Sequence, residues 1–342
     1  MRRWQVLGLG GISSIGLILG GLVFRADGWD NFKLQSVAWT QHWRDQSQEL
    51  GDLQAQNIEP EAYSRIKLAE LLNGGPPKDG IPSLDQPQFD TAAATPFADD
   101  ETVIGVVING EAKAYPYGIM NWHEIVNDTV GGVNVTITYC PLCDTIVAFE
   151  RGQTTFGVSG KLYQSCLIMY DRADDTLYAQ PWALGVVGPA VNESLERIPA
   201  VKTTLGAWLA EHPDSKVLSP ETGYSRDYFR YPYGTYYTDD RLIFPVRHTD
   251  QLQQHPKEIV SYIWDTSEQT PHNQFAGESL AFVHSEVQQQ QRIRQTFREE
   301  TITAQWDDDL QTVVITDEQG ELVPSSTAFA FVYPAFFAGV PD

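Results

Sequence analysis

Cysteine, methionine and basic residues are scarce in this chain. Its 342 residues include 3 Cys, 3 Met and 7 His, with 23 Lys and Arg against 45 Asp and Glu. Three cysteines cannot furnish a four-thiolate zinc site, and the His spacing of a zinc finger is not present either. The net charge of −22 argues against nucleic acid as a partner, because phosphate binding needs a basic face. Solubility is the plain reading of that acidity. GxSxG, HExxH, P-loop and dinucleotide fingerprints are all missing. What the chain does have is 42% hydrophobic residues, 11% aromatics, 27 Gly and 20 Pro. That composition describes a folded protein with many turns and a β-rich body rather than a helical bundle.

The N-terminus carries a different signal. Arg2 and Arg3 precede an uncharged run over residues 6–24 (VLGLGGISSIGLILGGLVF). Such a run is just long enough to cross a hydrocarbon layer of about 30 Å. A cleaved signal peptide is the rival reading, but Arg25-Ala26-Asp27 makes a poor cleavage site. An uncleaved signal anchor over residues 1–28 is therefore expected. Arg2 and Arg3 stay on the cytoplasmic side and the body is extracytoplasmic, in a periplasm or at a cell surface.

Two of the three cysteines stand two residues apart, in Cys140-Pro141-Leu142-Cys143. Such a pair closes a disulfide, clamps a soft metal, or cycles between thiol and disulfide. Pro141 stiffens the turn and removes a backbone donor. In an oxidising compartment the pair can rest as a disulfide, which leaves Cys166 over.

Residues 29–100 are expected to form a helical stalk and an extended linker, with helical spacing over residues 61–72 stopped by Asn73-Gly74-Gly75-Pro76-Pro77. The body occupies residues 101–256, and a second β-rich half residues 257–342. Asn109-Gly110 between apolar runs predicts a type I′ hairpin. Residues 117–126 read as a short helix, and residues 133–139 as a strand running into Cys140. Further strands are expected over residues 145–149, 154–158, 167–170 and 177–180, with Ser159-Gly160 at a turn. Thr203 is expected to cap a helix through Glu211. The last third reads as strands at residues 280–284, 301–305, 311–315 and 321–324. Residues 224–241 (YSRDYFRYPYGTYYTDDR) read as an aromatic loop, either packed on its own rings or forming a binding rim. Residues 101–108 echo 258–264, and residues 206–214 echo 329–334, which suggests two related halves with chemistry retained in the first. The fold class expected is α+β and β-rich, with antiparallel sheets, short helices, two related halves and an N-terminal membrane helix.

A resemblance sharpens the pair. Asn121-Trp122-His123-Glu124, Tyr139-Cys140-Pro141-Leu142-Cys143, Phe156-Gly157-Val158-Ser159-Gly160, Met169-Tyr170-Asp171-Arg172, Tyr231-Pro232-Tyr233-Gly234 and Arg241-Leu242-Ile243-Phe244-Pro245-Val246 recur in order as in domain-of-unknown-function family 3179. The chain resembles that family over most of residues 101–256. Some of its relatives are described as selenoproteins, with selenocysteine in the two-cysteine motif. The resemblance implies redox chemistry at Cys140 and Cys143. The family usually carries Asp where Cys166 stands.

Three functions stay in view. In the first, Cys140 attacks a disulfide and Cys143 resolves, with a redox partner protein. Lys161 or Arg172, if close, would lower a thiol pKa. No βαβ pattern surrounds the motif, so the site is not thioredoxin-like. In the second, Cu(I) is the cofactor, held by Cys140 and Cys143 with His123 or Met169, and with Met120 nearby in sequence. A lone His is more often a satisfied helix residue, and Met more often core filler. In the third, the protein is a membrane-tethered scaffold with a static bridge, which gains little stability from so short a loop. The reading adopted ranks redox first.

Overall fold

The computed structural model describes residues 64–265 and 277–337. The run over residues 6–24 and residues 29–63 of the expected stalk lie outside them. Among the described residues no helix is long and apolar enough to cross a membrane. The chain opens with β1 (Leu72–Asn73) and β2 (Phe89–Thr91), then a hairpin of β3 (Thr102–Ile108) and β4 (Glu111–Pro116). Helix α1 (Tyr117–His123) leads into a meander of β5 (Ile125–Val130), β6 (Val133–Cys140) and β7 (Thr145–Glu150). Next come β8 (Phe156–Tyr163), β9 (Cys166–Asp171), β10 (Leu177–Ala179), β11 (Leu184–Val187) and β12 (Glu196–Ile198). Strand β13 (Val201–Thr204), helix α2 (Leu205–Glu211) and β14 (Lys216–Leu218) follow. After a long loop the chain forms β15 (Ile259–Trp264), β16 (Ser279–Val283), α3 (His284–Gln290) and a second meander, β17 (Arg292–Phe297), β18 (Glu300–Asp307) and β19 (Thr312–Thr316). It ends in β20 (Ser326–Phe329) and α4 (Val332–Phe337).

The sheets run β1-β8-β9-β10-β11, β12-β7-β6-β5, β13-β3-β4-β14-β2, β16-β15-β20 and β17-β18-β19. Described strand pairs are antiparallel except β4 with β14. The protein is thus mostly β with few short helices, as its composition led one to expect. Asn109 and Gly110 take φ of 50° and 81°, the two positive angles of a type I′ turn.

A single constant shift in numbering carries the first α1-meander unit onto the second. It takes Tyr117–His123 to His284–Gln290, Ile125–Val130 to Arg292–Phe297, and Val133–Cys140 to Glu300–Asp307. Positive-φ positions follow the same shift: Glu124 (59°) to Gln291 (63°), Gly131 and Gly132 to Arg298 and Glu299, and Asp144 (52°) to Gln311 (53°). The hairpins ahead of them also agree, since Val103 pairs Pro116 and Val260 pairs Val283. Each has a further strand on its outer edge, β13 beside β3 and β20 beside β15. The units interlock. The Phe329 amide on β20 donates to the Cys143 carbonyl at 2.8 Å. The Thr203 hydroxyl on β13 donates to the carbonyl of Leu310, the counterpart of Cys143, at 2.5 Å. Only the first unit carries β8–β12 between its meander and its outer strand.

Several local expectations are corrected. The helical spacing over residues 61–72 yields one 3-10 turn, Leu68–Glu70, and then β1 against β8. Ile66, Leu68 and Leu71 are buried, but so short a segment before Asn73-Gly74 does not repay helix nucleation. The helix expected over residues 117–126 stops at His123. Glu124 turns the chain at positive φ, and the β-branched run Ile125, Val126, Thr129, Val130 pairs with β6. Ser159-Gly160 lies inside β8 at a register shift, not at a turn. Gly160 supplies the φ of +76° that the bulge needs. The cap of α2 is Thr204, whose hydroxyl accepts from the Ala207 amide, while Thr203 belongs to β13. Residues 321–324 form only an isolated bridge from Leu322 to Thr316.

Candidate functional site

Cys140 ends β6 opposite Thr145 of β7. The Cys143 amide donates to the Cys140 carbonyl at 3.2 Å, closing a turn whose second position is Pro141, pre-set to the φ such turns use. Asp144 completes the loop at φ +52°, a conformation that Asp tolerates better than most residues. Neighbours hold the loop's carbonyls: Phe329 takes that of Cys143, and the Tyr236 hydroxyl donates to that of Leu142 at 2.7 Å. The Thr145 hydroxyl donates to the Cys143 sulfur at 3.0 Å.

Cys166 arrives from the strands found only in the first unit. Gln164 and Ser165, at φ 51° and 63°, form the two-residue turn between β8 and β9, and Cys166 pairs with Tyr163. The structure brings all three cysteines of the chain together. Each is a free thiol and buried, at 1%, 0% and 0% exposure for Cys140, Cys143 and Cys166. All three share one buried cluster, and Cys143 lies close to both others. Burial pushes all three thiols up. This is the reverse of the activation expected from Lys161 or Arg172. Arg172 is instead spent on Asp85 at 2.8 Å and the Ser83 hydroxyl at 2.6 Å.

The neighbours grade along the row of sulfurs. Glu124 is among the groups near Cys140, and Tyr231 and Tyr233 lie near the same thiol. Tyr236 feels Cys143 first and then the other two. Tyr262, in the interior, feels Cys166 and Cys143. Tyr231, Tyr233 and Tyr236 belong to the aromatic loop. That loop does pack on its own rings, with Tyr231 and Tyr233 centroids 5.7 Å apart, but it also covers the thiols. Lys257 staples it, its ammonium 3.6 Å above the Tyr236 ring and donating to the carbonyls of Tyr236 and Asp239.

Glu124 escaped the sequence reading as a site residue. Its carboxyl is buried, bonded by Tyr233, and pushed up to about 8 by desolvation. Its backbone is held at positive φ, and its carbonyl accepts from the Tyr139 amide at 2.8 Å. A strained, buried ionisable group beside a thiol is a signature of function. Asp144 was also missed. Its carboxylate is fully buried, pairs with Lys202, and accepts from Tyr139 at 3.1 Å and Tyr237 at 3.3 Å. The Tyr117 ring packs tilted against Tyr139, with centroids 4.1 Å apart. Asp144 adjoins the motif, which was the available signal. Lys202 had none, because it meets Asp144 only through the fold.

Of the remaining candidates, Met169 shares the cysteine core and Met120 lies in another. The Pro82 carbonyl can only accept, so His123 Nδ1 carries the proton it donates there, at 2.7 Å. Nε2 then accepts from the Tyr228 hydroxyl, also at 2.7 Å. Burial lowers the His123 pKa to about 4. Met120 packs in the core beneath α1 and the β5-β6-β7 meander. Among the described residues no group of three or more His, Cys, Asp or Glu is arranged to hold a metal ion.

Antiparallel meanders, a buried thiol cluster on one hairpin loop and an aromatic loop over it define the class of protein. The chain belongs to the family described as Protein of unknown function (DUF3179), matched over residues 78–339. The match therefore takes in both units. No curated protein and no solved structure matches the chain.

Proposed function

We propose that this protein is an exported, membrane-anchored thiol–disulfide exchange protein whose reacting sulfurs are Cys140 and Cys143. The observation that carries the reading is the meeting of all three cysteines, as free thiols, beside Glu124 and beneath the stapled loop. Three thiols scattered at random over such a chain would not share one loop contact. The closed site is inert, because burial keeps the thiols protonated. Lifting the Tyr231–Tyr236 stretch admits a partner disulfide and water together.

With water admitted, Glu124 is no longer desolvated and gives its proton to solvent, and the carboxylate so formed takes the Cys140 proton. The Cys140 sulfur attacks one sulfur of the partner disulfide, and the other leaves as a thiolate that is then protonated. Cys143 next attacks the Cys140 sulfur, and its proton passes to the departing partner sulfur, which leaves as the second partner thiol. Two electrons pass to the partner, and Cys140–Cys143 becomes a disulfide. Residues 6–24, behind Arg2 and Arg3, supply the membrane anchor and the extracytoplasmic setting. The recurring unit supports two related halves with the chemistry kept in the first, since Asp307, Asp308, Asp309 and Leu310 stand where Cys140, Pro141, Leu142 and Cys143 stand.

Titration of the natively purified protein against glutathione and dithiothreitol buffers tests this. The expected midpoint lies at roughly −300 to −180 mV. Thiols that never pair under glutathione disulfide reject the reading, as does a bridge that native dithiothreitol leaves intact. The Cu(I) alternative draws on the same sulfurs. It is favoured only if a competition titration shows binding tighter than that of a Cys140→Ser, Cys143→Ser control.

A further inference from the structure

Three thiols in a row have one more reaction open to them than a pair has. Cys143 lies close to each of the other two, and all three are buried in one cluster. Cys140 lies near Glu124 and the covering loop. Cys166 lies at the inner end, by Tyr262, on a hairpin of its own. Its two-residue turn and the Cys140–Asp144 loop are both pinned by backbone pairing. The contact between Cys143 and Cys166 is therefore built into the fold.

The geometry points to Cys166 as a second resolving thiol, which moves the disulfide inward from Cys140–Cys143 to Cys143–Cys166 and returns Cys140 to the free state. This rests on the proposed exchange chemistry and goes beyond it. Once Cys140–Cys143 has formed, the Cys166 sulfur attacks the Cys143 sulfur. The Sγ140–Sγ143 bond breaks and the Sγ143–Sγ166 bond forms. Cys140 leaves as the thiolate and takes the proton that Cys166 gives up. No electrons enter or leave, so no oxidant is needed beyond the partner disulfide already spent. The oxidised equivalent is then stored in the core, tying the β6–β7 loop to the β8–β9 hairpin. Cys140 is again a thiol at the mouth of the site, able to form a mixed disulfide with a second partner.

The test asks which cysteine is left free. The full chain is oxidised with glutathione disulfide, denatured in acid to freeze exchange, alkylated, and mapped by peptide mass. Wild type is expected to show both linkages, with the label divided between Cys140 and Cys166. Cys140→Ser is expected to form the Cys143–Cys166 bridge in one chain. Cys166→Ser is expected to show Cys140–Cys143 alone. Label confined to Cys166 in wild type overturns the relay and leaves the Cys140–Cys143 exchange standing. Failure of wild type to form either bridge overturns the exchange chemistry itself. Should Cys140→Ser not fold, the wild-type map alone decides.

Discussion

At the scale of single residues, Glu124 and His123 set opposite slopes on stability against pH. Glu124 titrates near 4.5 when unfolded and near 8 when folded. The folded state binds the extra proton between those values, so stability falls as pH rises through them. His123 titrates near 6.5 when unfolded and near 4 when folded. Here the unfolded state binds the extra proton, so stability falls as pH drops from 6.5 to 4. Each unit is worth about 1.4 kcal/mol at full effect. The two slopes cancel between pH 4.5 and 6.5, leaving a plateau with a fall on either side. Glu124→Gln is expected to flatten the alkaline fall, and His123→Gln the acid one, in urea unfolding measured across pH. If Glu124→Gln keeps the wild-type loss between pH 6.5 and 8, the buried neutral carboxyl is wrong. The same substitution should slow Cys140 alkylation above pH 8, where wild-type Glu124 can accept the proton. Of these residues, the cysteine pair and His123 stood out in the sequence, and Glu124 did not. A spacing of two is local, whereas the burial of Glu124 depends on Tyr233, more than a hundred residues later. That distance is closed by tertiary packing, which no local pattern records.

At the scale of elements, the covering loop controls access. The Tyr236 hydroxyl holds the Leu142 carbonyl, and Lys257 holds the Tyr236 and Asp239 carbonyls. Tyr236→Phe removes one buried bond, and the acceptor left unpaired costs roughly 1–3 kcal/mol. If that cost falls on the closed loop alone, native-state alkylation of Cys140 should rise about tenfold, since 1.4 kcal/mol is a factor of ten. Lys257→Met should act in the same direction. Unchanged alkylation rates in both variants would mean that the thiols are reached by another route. Elements with local signals were legible. The Asn109-Gly110 hairpin, the strand entering Cys140 and the aromatic loop were all read from residue type. The failures came where packing overrode period. Residues 125 and 126 continue a helical apolar pattern, yet they join a sheet because Glu124 breaks the helix and β6 offers a partner edge. Ser159-Gly160 resembles a turn, but the Gly φ serves a bulge within a strand whose ends both pair with β9.

At the scale of the whole molecule, the two units share buried groups across their boundary, and this decides how the chain unfolds. The Cys143 carbonyl is held by Phe329, and the Ile146 carbonyl by the Ser326 hydroxyl at 2.5 Å. Trp182 Nε1 donates to the Phe336 carbonyl at 2.9 Å, and Arg197 donates to the Trp264 carbonyl at 2.7 Å while lying 3.8 Å over its ring. The sequence echo between residues 101–108 and 258–264 was faint because only spacing and backbone conformation recur. Side chains at matching positions differ, as Cys140 and Asp307 do, so the correspondence lies in element lengths and positive-φ positions rather than in residue identity. A fragment ending at residue 256 would lose β15, β20 and α4 together. Each buried group left without its partner costs roughly 1–3 kcal/mol, and several such losses rival a typical whole-protein stability of roughly 5–15 kcal/mol. The full chain is therefore expected to unfold in one cooperative step. The fragment of residues 64–256 should show retained far-ultraviolet dichroism, lost near-ultraviolet signal and rapidly alkylated cysteines. A fragment that melts sharply with its thiols protected would make the first unit self-sufficient. The Phe329 bond to the Cys143 carbonyl would then be a contact of convenience rather than part of what shapes the thiol loop.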